Sequence, residues 1–524
     1  MTTAGFRHLQ LGPIEADVAR ALAELADTEA VRRLWAGEHA LWSPEPTEIT
    51  DRLGWLRVPA EAAAAVEEVE AFVGGCRADG LTDAVVMGMG GSSLFPEVLA
   101  RSFPDAPGLR LHVLDSTDPA AVAHVAAHLD PATTLYLAAS KSGTTIETRS
   151  HLEFFWAHVG RGDRFAAITD PGSELGRVAR ERGFRHVFEN RADIGGRYSA
   201  LSHFGLVPAA LAGVGWMELA AAAVRITPSL QSADPAVNAG LHLGAILGAA
   251  ARAGRDKVTL VIEPRFASFG LWLEQLVAES TGKAGVGVVP IVDEALGPVG
   301  VYGDDRTFVA IGDLHGTGDA IGLDVLAGAG HPVVALDLGE PTDLGAQVLT
   351  WEVATALCGA LLGINPFDQP NVAEAKEATA RVLESGAADL PGATLDDVLA
   401  QVRPGDYVAV MAYVDPASDD VGRLAELRLL LRDELEVATT FGLGPRFLHS
   451  TGQLHKGGPP TGVFLQVVGD DHADAAVPGR PFTFSELKRA QADGDLLTLA
   501  AHGLRAARVT VAELVLHASG GIDA

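Results

Sequence analysis

The chain is nearly without cysteine: Cys76 and Cys358 are the two among 524 residues. Two thiols cannot build a disulfide framework, so a stapled secreted fold is excluded and a reducing, cytoplasmic compartment is expected. Positive charge is also short, with 39 basic against 68 acidic side chains and a net charge of -29. Nucleic acid and anionic membrane surfaces need a basic footprint, so neither is expected as a partner. No apolar run reaches about 18 residues, so no membrane span is expected. The first residues, MTTAGFRHLQLGPIEADVAR, lack a basic region followed by an apolar core, and no secretory signal is read there. No GxxxxGK[ST] loop is present, which argues against ATP-driven chemistry. His124 and His128 lie four apart but lack an HExxH pattern or a third ligand, so a solvated helix face is expected and no metal. There is no short-period repeat and no low-complexity tract.

What the chain has is apolar residues in alternation. Hydrophobic residues make up 48% and charged residues 20% of the sequence, enough for sizeable cores. From DAVVMGMG onward, short apolar strands alternate with helices: RLHVLDS, TTLYLAAS and RFAAITD, then KVTLVIEP, RTFVAIGD and PVVALDLG, then DYVAVMAYVDP and GVFLQVVG. Such alternation predicts an α/β fold with parallel sheets covered by helices on both faces. The expected divisions are an N-terminal helical segment at 1–60, α/β blocks at 61–230 and 231–390, and a C-terminal α/β extension at 391–524.

In parallel sheets, ligands sit beyond the carboxyl ends of strands, so the loops there matter most. After DAVVMGMG come Gly90, Gly91, Ser92 and Ser93, opening a helix. Glycines admit an anion close to the backbone, and a helix N-terminus supplies free N–H groups. This loop alone is open between a nucleotide site, a sugar-phosphate site and a plain turn. Gly88-x-Gly90-x-x-Ser93 lacks the third glycine of a dinucleotide fingerprint, although Asp115 ends the next strand. After TTLYLAAS, Ser140, Lys141, Ser142, Gly143, Thr144 and Thr145 precede Glu147 and Thr148. Hydroxyls, a lysine and a helix start suit a phosphate monoester. Further on, Arg197 follows Gly195 and Gly196 in DIGGRYSALS, and Gln275 and Glu279 share one face of the helix read from WLEQLVAESTGK.

Taken together, these loops resemble glucose-6-phosphate isomerases. The first glycine loop is similar to that family's GIGGS loop, and SKSGTTIET to its second phosphate loop. DIGGRYSALS resembles its arginine signature, and EQLVAESTGKAGVGVVP the bacterial version around its catalytic glutamate. FDQPNVAEAK resembles the C-terminal signature, with Pro370 and Asn371 where the family usually has another residue followed by glycine. The N-terminal LWSPEPTEITDRLGWL and the long C-terminal block resemble the isomerase half of fused transaldolase–isomerase proteins.

The resemblance implies two sugar-isomerase domains plus the extension. The implied reaction is glucose 6-phosphate to fructose 6-phosphate isomerisation, in glycolysis and gluconeogenesis, without cofactor or metal. It gives Glu279 the proton transfer between C1 and C2, and Arg197 the stabilisation of a cis-enediolate, which suits a side chain that stays protonated. Gly91, Ser92, Ser140, Lys141, Ser142, Thr145, Thr148 and Gly196 are expected around the phosphate and backbone cradle. Gln275 and Gln369 are expected on sugar hydroxyls. Lys376 and a histidine would open the ring. The family takes that histidine from a neighbouring subunit, which makes a homodimer the expected assembly. In this chain a GQ-x-H sequence puts His455 forward, with His315 in GDLHGTGD as the second candidate. The alternatives are an isomerase that also takes mannose 6-phosphate, a non-catalytic sugar-phosphate sensor, and a dinucleotide oxidoreductase.

Overall fold

Aliphatic and β-branched runs become strands, and the amphipathic stretches between them become the crossovers. In the computed structural model, which describes residues 5–386 and 388–520, the strands are β1 (Phe6–Gln10), β2 (Asp83–Met87), β3 (Arg110–Leu114), β4 (Thr134–Ala139), β5 (Phe165–Thr169), β6 (His186–Glu189), β7 (Lys257–Ile262), β8 (Val289–Ile291), β9 (Arg306–Ile311), β10 (Val333–Leu336), β11 (Tyr407–Tyr413), β12 (Ala438–Leu443), β13 (Gly462–Val468) and β14 (Arg505–Val509). They form three sheets, ordered β3-β2-β4-β5-β6, β1-β10-β9-β7-β8 and β12-β11-β13-β14. All pairings are parallel except β1 with β10. Strands β2, β4, β5 and β11 are buried along their whole length, as sheets covered on both faces require.

In the first sheet the chain steps from β2 to β3 and then crosses to β4 on the other side. The order therefore reverses between β2 and β4, where α/β sheets open a crevice for ligands. The glycine loop follows β2 and the hydroxyl loop follows β4, so both open on that crevice.

The first sixty residues are not only helices and loops. β1 closes the second sheet as an antiparallel edge, with His8 opposite Ala335 and Gln10 opposite Val333. The helix Leu344–Leu362 runs through the centre of the molecule and is buried almost throughout, Trp351 included. It packs on the helix Ala239–Arg252, where a Cβ at Gly244 would lie 2.6 Å from the Ala354 carbonyl oxygen. With the turn before it (Pro341–Leu362), this is the one helix among the described residues long and apolar enough to cross a membrane. Its burial makes it a core helix.

The C-terminal block docks on the first sheet through polar side chains. Arg446 makes two 2.8 Å bonds to Asp115. Lys488 lies 2.8 Å from Asp118, and Thr117 donates to Gln491 at 2.6 Å. The loop 115–118 at the end of β3 is thus tied to the C-terminal block, which brings the segment Arg446–His449 to the crevice.

Candidate active site

The glycine loop and the arginine loop touch through their backbones. A Cβ on Gly91 would sit 1.8 Å from the Gly196 oxygen. Gly90 has φ +54, and a Cβ there would lie 2.7 Å from Gln275 Nε2 and 3.0 Å from the His449 oxygen. Glycine is required at both positions by close approach. The turn Gly196–Tyr198 then delivers Arg197 into the interior at 2% exposure.

Arg197 spends its whole fork there. Its Nε donates to Ser280 Oγ at 2.9 Å, Nη1 to Gln369 Oε1 at 2.7 Å, and Nη2 to the carbonyls of Pro366 and Asp368 at 2.9 and 2.7 Å. Its Nη1 also lies 3.2 Å from Glu279 Oε1. The helix Phe269–Thr281 carries Glu279 and Gln275 one turn apart, and Gln275 Nε2 donates to Glu279 Oε2 at 3.0 Å and to the His449 carbonyl at 2.8 Å. A second buried cation, Lys283, pairs with Asp368 at 2.8 Å and donates to the Asn365 carbonyl. Burial and the neighbouring Arg197 push the Lys283 ammonium down to about 7. Both cations therefore clamp the 365–369 loop that carries Gln369. Arg197, Gln275, Glu279 and Gln369, read from separate motifs, meet in one cluster.

Above this cluster lies a cavity of ≈ 720 Å³, walled by Ser142, Thr144, Thr145, Glu147, Lys376 and His449 among others. Ser140 is buried and shapes the loop: its Oγ accepts from the Gly143 N–H at 3.1 Å and bonds Thr145 Oγ1 at 3.1 Å. Thr145 stands at the N-cap of the helix Ile146–Val159 but makes no side-chain cap bond. The Glu147 N–H is taken by its own carboxylate, and with no N-cap side chain on the others the start of that helix is suited to an anion. Glu147, in the first turn, accepts from Gln491 Nε2 at 2.7 Å and bonds His449 Nε2 at 2.9 Å. Burial raises the Glu147 pKa. The charge and hydrogen bond of His449, its own backbone N–H and Lys376 outweigh that, leaving it below the usual carboxylate range. The cavity walls do not include Glu279 or Arg197; Gln275 and the His449 backbone connect the two layers.

Some expected residues stand elsewhere. His455 is on the short helix Gly452–Gly457, 6% exposed, between the rings of Phe447 and Phe464 at 6.0 and 5.0 Å. Its Nδ1 has no partner, and burial with the adjacent Lys456 pushes it down to about 3. It is a neutral core group, and the imidazole in the cavity wall is His449. His315 is exposed in the loop after β9, its N–H bonded to Asp313. Lys141 is absent from the cavity walls; its ammonium is held by Asp170 and the Ala192 carbonyl. Thr148 is buried with its hydroxyl unpartnered. Ser92 closes the turn Gly90–Ser92. Two contributors escaped the sequence reading. His449 lies six residues before His455 in the same LHSTGQLH segment, and Glu147 followed the hydroxyl loop without an assigned partner.

A phosphoglucose isomerase family model matches residues 61–307. A glucose-6-phosphate isomerase of Rubrobacter xylanophilus is 32% identical over 400 residues, covering 64% of this chain and 89% of the relative. The chain belongs to the glucose-6-phosphate isomerase family. A Nostoc punctiforme member is 28% identical over 70% of this chain and 79% of its own length. The solved structure of a Chlamydia trachomatis glucose-6-phosphate isomerase shares the fold at a TM-score of 0.61, with 19% identity over 72% of this chain and 87% of that one. The matched family segment contains both loops, Arg197, Gln275 and Glu279, and ends before Gln369, Lys376 and His449. The C-terminal half of the cavity thus lies outside the family model.

Proposed function

We propose that the chain interconverts glucose 6-phosphate and fructose 6-phosphate through ring opening and a cis-enediolate, the activity named for its relatives. The observation that carries this reading is Glu279, a buried carboxylate held by Gln275 on one oxygen and facing Arg197 from the other. A base that takes a proton from one carbon and returns it to the next needs a fixed carboxylate on one face of a planar intermediate. Arg197 is the adjacent cation for the charge that develops on the enediolate oxygens, and its five contacts hold it still. Gln275 and Gln369 are placed to receive sugar hydroxyls.

Ring opening needs an acid at the ring oxygen and a base at the C1 hydroxyl. His449 and Lys376 are the groups that share the cavity wall with the hydroxyl loop. An imidazole can act as acid or as base, and Glu147 fixes the His449 ring from Nε2. The phosphate belongs on Ser142, Thr144, Thr145 and the start of the helix behind them.

The two buried free cysteines agree with a cytoplasmic setting. The test is conversion of fructose 6-phosphate to glucose 6-phosphate by the purified chain in the presence of a chelator, with mannose 6-phosphate run in parallel. Turnover without added metal is expected; no product at any substrate concentration would refute the reading.

A further inference from the structure

A phosphate monoester carries close to two negative charges and is bound best where a cation answers them. The hydroxyl loop brings none of its own, because Lys141 is committed to Asp170 and the Ala192 carbonyl outside the cavity. Two cations do reach the cavity wall, Lys376 and Arg480. Lys376 acts on the Glu147–His449 pair, whose carboxylate it helps keep ionised. Arg480 has no assigned role.

Its setting is unusual for this chain. With 68 acidic side chains against 39 basic ones, most arginines find a carboxylate. Among the described residues none lies within ion-pair distance of Arg480, although its side chain is exposed. Arg480 sits at the tip of a hairpin closed by the Ala476–Thr483 bridge, with its N–H bonded to the Val477 carbonyl at 3.0 Å. Val477 and Phe484 are buried in one apolar cluster with Leu152, Phe154 and Phe155. Those three belong to the helix Ile146–Val159, whose N-terminus faces the cavity. The hairpin is therefore pinned to the body of the helix that presents Ser142, Thr144 and Thr145 at its start.

We propose that Arg480 binds the phosphate group of the substrate, supplying the positive charge that Lys141 does not. The assignment rests on the sugar-phosphate reading of the cavity above. It makes the C-terminal block a participant in substrate binding as well as in ring opening.

The test uses the full chain and inorganic phosphate alone, titrated calorimetrically into the wild type, R480M and R480K. A charge-assisted bond to phosphate lost in R480M should weaken binding about ten- to a hundredfold, with R480K keeping much of the affinity. In turnover, R480M should raise KM for fructose 6-phosphate by a similar factor while kcat changes less than about threefold. The salt dependence of KM should flatten as well. Circular dichroism confirms the fold, and R480K guards against misfolding of the methionine variant. Equal phosphate affinity in wild type and R480M overturns the proposal. Phosphate binding that depends on Arg480 in a chain that isomerises nothing leaves it standing and removes the isomerase reading instead.

Discussion

Replacing His449 by asparagine separates ring opening from proton transfer. His449 Nε2 lies 2.9 Å from Glu147 Oε1, while its carbonyl accepts from Gln275. Asparagine keeps the carbonyl and a polar side chain but cannot act as an acid or a base. A positioned general acid or base is worth roughly 10²–10⁴ in rate. H449N should therefore lower kcat/KM for cyclic fructose 6-phosphate by about that factor. An acyclic analogue lacking the ring-closing hydroxyl needs no such acid, and its loss should stay within about tenfold. The matched control is H455N, because His455 is packed between Phe447 and Phe464. That variant should lose about 1–3 kcal/mol of stability, as core substitutions do, with kcat per folded molecule nearly unchanged. A coupled assay on both substrates and urea unfolding give all the numbers. Equal losses on the cyclic and acyclic substrates in H449N would contradict the ring-opening role. A large kcat loss in H455N with H449N intact would return the role to the buried imidazole.

Other outcomes follow from the same geometry. The Glu147 carboxyl is held below its ordinary range in the folded chain. The stability this gives is present above about pH 4.3 and lost as pH falls through the folded value; E147Q should show a shallower acid-side loss in urea titrations than the wild type, and a lower kcat because His449 loses its anchor. Lys283 is pushed down to about 7, so the unfolded chain binds more protons between about pH 7 and 10.4 and stability should rise with pH there. K283M should lack that rise, measured by unfolding at three pH values. G91A would set a Cβ 1.8 Å from the Gly196 oxygen; it should part the two loops and abolish most turnover. G75A, on the helix Val66–Ala78 with only the flexible Arg185 tip at 3.6 Å, should instead stabilise by about 0.5–1 kcal/mol and leave kcat unchanged.

The fold was legible because strand and helix periods are unambiguous in this chain. RLHVLDS, TTLYLAAS and KVTLVIEP stand as β3, β4 and β7. β1 was missed because FRHLQ is a short edge segment, and its pairing with β10 is a contact over three hundred residues. The residues gathered around Arg197 could be named because their segments resemble the family's signatures; the glycines and the glutamine–glutamate spacing by themselves also fit a surface turn and a solvent-facing helix. The choice between His449 and His455 could not be made that way. They lie six residues apart, on either side of the start of the helix Gly452–Gly457, and only the packing of Phe447 and Phe464 decides which ring is buried. Lys141 failed for a similar reason: its partners, Asp170 and Ala192, are brought near by β5 and the chain after β6, not by its own loop.

The account turns on Glu279 moving a proton between neighbouring carbons. The direct measurement is NMR of fructose 6-phosphate incubated with the enzyme in deuterium oxide. The wild type should yield glucose 6-phosphate with deuterium at C2 and should exchange one C1 proton of the remaining ketose, since a carboxyl that lifts a proton equilibrates with solvent before returning it. E279Q keeps the shape, accepts from only one of the two donors Gln275 and Arg197, and holds no base; it should show neither exchange nor product while still binding inorganic phosphate. Deuterium incorporation by E279Q at a rate near that of the wild type would contradict the account.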